Sequence, residues 1–406
     1  MAREVRLISA EETAPWVEQM GVGFHFRPAP GWAKFFFDGV DLGRTWGAFD
    51  GESVVGTLRS FATDLTTPGG MQVPAAALTN VTVAPTHRRS GLLTEMITSD
   101  LAQSAALGEA VGILIASEWP IYGRFGYGAA VESAKYEIDP SLVRFREPSI
   151  GAVELVDDAA LRKVAPVVYE EHRKAQPGAI ERRPAWWDRH LFQVEVPGER
   201  PGEHRNALYR SPEGEIEGYV RYKVSSEWHD MRPASKLTTG ELFAVTSDAH
   251  RGLWGYCTGV DLVMTLEVGD RPVDEVLPFR VIDGRAIRQT ARYDFVWVRV
   301  LDVPQTLAGR RYTTEGRIVI EVADKLGHAA GRYALEGGPD GAECKRTDES
   351  AQISLEVDAL GSVYLGGFSF AALVAAGRVT PIDERAVATA DAMFLTARKP
   401  WCATWF

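Results

Sequence analysis

Val81-Thr82-Val83-Ala84-Pro85-Thr86-His87-Arg88-Arg89-Ser90-Gly91-Leu92-Leu93 is the stretch on which the fold of this chain turns. Residues 81–83 should close a strand, residues 84–87 should turn the chain, and residues 88–93 should lead into a helix. The first N–H groups of a helix have no partner inside it, and the aligned peptide dipoles add about half a positive charge there, so a pyrophosphate is stabilised at such a point. Arg88 and Arg89 add mobile cations, and Gly91 admits close approach of the backbone. An Arg-Arg-x-Gly sequence alone also opens ordinary surface helices. Here the order around it is the one an anion site requires: residues 54–61 and 76–83 read as strands, 91–106 as a helix and 111–117 as a further strand.

Working outward, the first third has an echo in the second. Asp50-Gly51-Glu52 followed by Gly56-Thr57-Leu58-Arg59 reappears as Glu213-Gly214-Glu215 followed by Gly218-Tyr219-Val220-Arg221. Val83-Ala84-Pro85-Thr86-His87-Arg88 reappears as Thr246-Ser247-Asp248-Ala249-His250-Arg251 at nearly the same distance. Two matches in register indicate an internal duplication. Turn-rich punctuation places boundaries near 145 and 290, giving units of 1–145, 146–290 and 291–406. The last unit alternates strand-like runs with helical ones, an α+β texture without evident chemistry of its own.

A chain of 406 residues exceeds one compact core, in keeping with several domains. A net charge of -11 speaks against nucleic acid, whose phosphates need a basic surface, and favours basic ligands. No apolar run approaches the roughly 20 residues of a membrane span, and residues 1–9 contain no run long enough for a signal peptide. Three scattered cysteines, Cys257, Cys344 and Cys402, suggest neither a disulfide framework nor a zinc site, which fits a cytoplasmic protein without metal.

The quoted stretch resembles motif A of the GNAT superfamily of N-acetyltransferases, in which an Arg/Gln-x-x-Gly-x-Gly/Ala loop seats acetyl-CoA beside a splayed strand. Arg88 and Gly91 fit that pattern, while Leu93 stands where it has a small residue. Together with Ser117-Glu118 and Ile121-Tyr122-Gly123-Arg124-Phe125-Gly126-Tyr127-Gly128, residues 85–93 resemble the Eis (enhanced intracellular survival) family. Residues 245–253 resemble its second, degenerate GNAT unit. Val296-Trp297-Val298-Arg299 and residues 361–367 resemble its sterol-carrier-protein-like third domain.

The resemblance implies an α+β protein of two tandem GNAT-like α/β units and a C-terminal sterol-carrier-protein-like domain. It also implies acetyl-CoA as co-substrate, a small-molecule primary amine as acceptor (aminoglycoside-type, lysine or arylalkylamine), and a homohexamer. Val81, Val83, Arg88, Arg89, Ser90, Gly91, Leu92 and Ser117 would seat acetyl-CoA. The echo lacks counterparts of Arg89 and Ser90 between Arg251 and Gly252, so one acetyl-CoA per chain is expected.

Acetyl transfer needs a proton for the leaving thiolate and a group to accept the amine proton. A tyrosine, protonated at neutral pH, suits the first task. By resemblance it is Tyr122, with Tyr127 as the nearby alternative. The aromatic ending Trp401-Cys402-Ala403-Thr404-Trp405-Phe406 should dock rather than stay in water, and by resemblance the terminal carboxylate of Phe406 is the base. His25 and Trp405 stand where the best-known family members carry acidic residues for polycations, which counts against aminoglycosides. His25, Trp32, Phe35 and Trp405 are the candidate acceptor contacts, suited to a flatter, more apolar amine. The competing readings are a non-catalytic ligand-binding scaffold and an acyltransferase for longer acyl-CoAs.

Overall fold

The computed structural model describes residues 3–198 and 203–406. The chain first lays down β1 (Arg3–Leu7), α1 (Thr13–Phe24), α2 (Trp32–Phe37), β2 (Thr45–Asp50), β3 (Ser53–Thr66), β4 (Gln72–Val83), α3 (Leu92–Ala106), β5 (Val111–Ile115), α4 (Trp119–Tyr122), β6 (Gly128–Ala129) and β7 (Glu132–Ile138). It continues with β8 (Ala152–Val156), α5 (Asp158–Ala175), α6 (Pro184–His190), β9 (Arg205–Arg210), β10 (Ile216–Val224), a short hairpin β11 (Trp228–His229) and β12 (Arg232–Pro233), then β13 (Ser235–Ala244), α7 (Ser247–Thr258), β14 (Val263–Arg271), β15 (Ile287–Asp294) and β16 (Val296–Val300). The last part holds β17 (Gly316–Ala323), β18 (Gly331–Gly338), β19 (Gly341–Arg346), β20 (Ile353–Glu356) and β21 (Val379–Pro381) with helices between them.

Two seven-stranded sheets share one plan. The first runs β1-β2-β3-β4-β5-β16-β6, and the second, read in the same sense, runs β8-β9-β10-β13-β14-β7-β15. In each, the fourth and fifth strands are parallel and their neighbours antiparallel. The echoed turns fall at the same place, Gly51 between β2 and β3 and Gly214 between β9 and β10, both with positive φ. The duplication read from the sequence is thus a duplication of sheets.

The sixth position departs from expectation. Val296–Val300, expected in the third unit, is a strand of the first sheet, hydrogen-bonded to β5 and β6. Conversely β7, which precedes the boundary near 145, belongs to the second sheet beside β14. The two sheets exchange a strand. Val-Trp-Val-Arg-Val is buried at every position, and a strand covered on both faces carries no alternation to say which sheet it joins.

The third sheet, β19-β18-β17-β20-β21, docks on the first through the helix Val357–Tyr364. Close contact is possible because Gly128 and Gly361 have no side chain: a Cβ would lie 1.8 Å from the Asp358 carbonyl oxygen at the first and 2.2 Å from that of Val298 at the second. Fully buried Arg299 of β16 makes a two-toothed ion pair with Asp324 at 2.7 and 2.8 Å, fixing the third unit to the exchanged strand. Removing either partner would leave an uncompensated buried charge, at a cost of about 3–5 kcal/mol.

Candidate active site

The cleft begins where two parallel strands part. β4 and β5 pair only over Ala75–Leu78 and Val111–Leu114, while β4 stays with β3 as far as Val83. A bulge turns the end of β4 aside: the register shifts between Thr57 and Arg59, and Asn80 sits at φ 55. Thr57 stabilises this bend by donating to the Asn80 carbonyl at 2.7 Å. Bulges re-aim strands in this way.

Beyond the parting lies a cleft of about 760 Å³. Val81, Val83, Arg88, Arg89, Ser90, Gly91, Leu92 and Ser117 all line it. Helix α3 starts after Gly91 with no side-chain cap, so its first N–H groups face a ligand-sized space. Gly91 has φ 88 and Arg89 has φ 61. A Cβ at Gly91 would meet no protein atom within 4 Å, so the left-handed backbone, rather than crowding by the protein, selects glycine. Ser90 donates to the His87 carbonyl and pins the turn. His87 pairs with Asp50 at 3.1 Å and holds that carboxyl below its usual range. Arg88 and Arg89 are exposed and, among the described residues, unpaired. The sequence reading missed the His87–Asp50 contact, since only pairing of β2 with β3 brings position 50 to this turn.

Tyr122 closes one side of the cleft. Burial raises its pKa, opposed by a hydrogen bond from Ser117 and reinforced by Glu118. Tyr127, the alternative, is 1% exposed and held well above its ordinary range by burial. Its hydroxyl lies against Gly112 of β5, where a Cβ would come within 2.8 Å, and it does not line the cleft.

The aromatic tail docks. Trp401 and Cys402 are buried, Trp401 N–H donates to the Pro177 carbonyl, and Thr404 meets Tyr169 at 3.0 Å and Arg182 at 2.8 Å. Asp270, at φ 52, holds both tryptophans: its carbonyl accepts from Trp401 and its carboxylate from Trp405. The Phe406 ring then rests edge-on against Phe61 of β3, 6.0 Å between centroids.

The acetyltransferase (GNAT) domain family matches residues 4–130, a second GNAT acetyltransferase domain family matches 178–300, and the sterol carrier protein domain matches 303–403. An uncharacterized N-acetyltransferase of Streptomyces avermitilis is 40% identical over 99% of this chain and 98% of its own. N-acetyltransferase Eis of Mycobacterium tuberculosis is 36% identical over 86% of this chain and 85% of its own. The crystal structure of Eis1 from Mycobacterium abscessus superposes with a TM-score of 0.88 at 36% identity, covering 99% of this chain and 100% of that one. The chain belongs to the Eis family of N-acetyltransferases. It is accordingly an acyl-CoA-dependent enzyme of two GNAT domains and a sterol-carrier-like domain.

The candidate acceptor contacts of this Eis-family chain do not come together as a set. His25 ends α1 at φ 60 and lines the cleft. Trp32 stacks on Phe36 at 5.0 Å, next to buried Trp16, as part of a hydrophobic cluster. Phe35 lies under the Arg189 guanidinium at 4.7 Å, in a separate surface groove with Pro197 and Gly198. Trp405, 57% exposed, sits on Asp270 and packs against Phe295.

The second GNAT unit corrects one detail of the sequence reading. Residues 247–251 are not a shortened loop; they lie inside α7, and a Cβ at Gly252 would run into the Tyr209 ring at 2.5 Å. Thr246 caps the helix by accepting from Ala249 N–H at 3.1 Å. Asp248 fills the rest of the end, accepting from Tyr209, from Ser149 at 3.0 Å, from Ile150 N–H at 3.2 Å and from Arg251. Arg251 is thereby consumed, with Glu147 as its other partner.

Proposed function

We propose that the protein moves an acetyl group from acetyl-CoA, seated by residues 81–93, directly to the primary amine of a small molecule. The observation that carries this reading is the uncapped start of α3, with its positive-φ glycine and two unpaired arginines, opening on the same cleft as Tyr122. These features fit a pyrophosphate, since donors, dipole and cations converge on one point. The amine nitrogen attacks the thioester carbonyl, and the C–N bond forms as the C–S bond breaks. The terminal carboxylate of Phe406 takes the amine proton, and the Tyr122 hydroxyl donates to the departing sulfur, leaving amide and free thiol. Burial keeps the Tyr122 proton in place throughout the neutral range.

Thiol release measured across aminoglycosides, lysine peptides, polyamines and arylalkylamines tests the reading, and silence with every amine would sink it. Tyr122→Phe should lower kcat about a hundredfold while leaving acetyl-CoA affinity intact. A C-terminal tag or removal of Phe406 should act on kcat in the same way. Calorimetry should count one acetyl-CoA per chain, and sedimentation should find a homohexamer.

A further inference from the structure

Arg59 lies on β3, opposite Thr79, one step from the point where β4 leaves β5. Its guanidinium sits over the rings of Phe36 at 5.0 Å and Phe61 at 5.7 Å, and Phe61 is the ring against which Phe406 rests. Its Nε is shut off from solvent with no hydrogen-bond partner. Two more cations stand close by. Arg183 reaches only the Ala62 carbonyl, at 2.6 Å, and Arg189 only main-chain carbonyls, that of Phe35 at 3.1 Å and that of Asp38 at 3.5 Å. Among the described residues no carboxylate, side-chain or terminal, pairs with any of the three.

The duplicated fold supplies an internal control. Arg221 holds the matching place on β10 in the echoed run Gly218-Tyr219-Val220-Arg221, and it is buried where Arg59 is partly buried. There the protein provides the counter-charge itself: Arg221 pairs with Asp158 and donates to Asn206 at 3.0 Å. In the first sheet nothing does. A partly buried charge without a counter-ion is destabilising, and desolvation together with the repulsion of Arg189 and Arg183 pushes the Arg59 pKa down to about 10. It remains a cation at neutral pH.

We infer that the acceptor amine carries an oxyanion group, carboxylate or phosphate, which Arg59 holds between Phe36 and Phe61 beside the docked tail. The amine end of this inference rests on the function proposed above; the anion end does not. An amino carboxylate would meet two opposite charges of the site with two of its own, Arg59 for its anion and the terminal carboxylate of Phe406 for its ammonium group. A polycation would instead face three arginines. The net charge of -11 draws cations from afar, but salt screens it beyond about 8 Å, and the local cluster decides at contact.

The test compares matched amines with the full-length protein: phenylalanine against phenethylamine, and O-phosphoethanolamine against ethanolamine. At least one anionic member should exceed its partner in kcat/KM by about tenfold, the worth of one charge-assisted contact. Which pair shows the preference identifies carboxylate or phosphate. In Arg59→Met the preference should vanish, acetyl-CoA affinity should hold, and Tm should not fall, because an apolar chain of similar length replaces an unpaired charge. A wild-type preference for both neutral-tailed amines, or a preference that survives Arg59→Met, overturns the inference. If no amine is acetylated at all, the proposed function fails, and the anion site is read separately. With coenzyme A saturating the cleft, 3-phenylpropionate and phenyl phosphate are titrated by calorimetry. At least one should bind and weaken about tenfold in Arg59→Met; binding by neither, or equal binding to both proteins, rejects it.

Discussion

The starts of α3 and α7 occupy the same place in two copies of one sheet, yet one is open and the other is closed. At α3 no side chain caps the helix, Gly91 holds a left-handed conformation, and Arg88 and Arg89 keep their charge unspent. At α7 Thr246 caps, Asp248 gathers four donors, and Arg251 is bound by two carboxylates. A binding site in a duplicated fold is therefore lost by more than deletion. The same helix end that welcomes an anion from solution is satisfied from within by an aspartate, and a fixed carboxylate then repels any incoming phosphate.

The comparison breaks or sharpens in four experiments. Removing Arg89 and Ser90 deletes the two residues for which the echo has no counterpart, and acetyl-CoA affinity should fall at least about a hundredfold by calorimetry; affinity kept within a few-fold would end the comparison. Arg88→Gln or Arg89→Gln should each weaken acetyl-CoA about tenfold and flatten its dependence on salt, since exposed charges act through a screened field. On the closed side, Thr246→Ala should cost about 1 kcal/mol of stability in denaturant titration without creating a second acetyl-CoA site.

The smallest effect concerns acid. Burial would raise the Asp248 pKa, but the hydrogen bonds from Tyr209, Arg251 and Ser149 outweigh it and hold the group well below the usual carboxylate range. Its contribution is fully present above about pH 4, the unfolded value, and is lost as pH falls through the depressed folded value. Asp248→Asn should accordingly unfold with a shallower dependence on pH below about pH 4 than the parent protein. Identical slopes would show that Asp248 does not tie down the helix end.

Much of this was legible in the chain. Residues 81–93 announced strand, turn and helix because β-branched residues, proline and a positive-φ glycine each act locally. The echo at residues 246–251 announced a second sheet. What stayed hidden depends on which distant pieces meet. The exchange of β7 and β16 leaves no trace, because Val-Trp-Val-Arg-Val suits any central strand. The partners that give Asp248 its role, Ser149 and Tyr209, come from 99 and 39 residues away. Nothing around Arg59 in the chain marks it, and only the meeting of Phe36, Phe61 and the tail leaves it partly buried without a counter-ion. Trp32 and Phe35, both candidate acceptor contacts, divide between a hydrophobic cluster and a separate groove, a separation that spacing along the chain does not reveal.

The exchanged strand also sets a timetable. As the ribosome extends the chain, β1 to β6 emerge early, yet the gap between β5 and β6 waits for Val296–Val300, and the second sheet cannot use β7 until β14 and β15 have followed. Neither half is finished on its own, so the nascent protein carries β5 with one edge unpaired until Val296–Val300 is made, and the two GNAT units complete each other late and together.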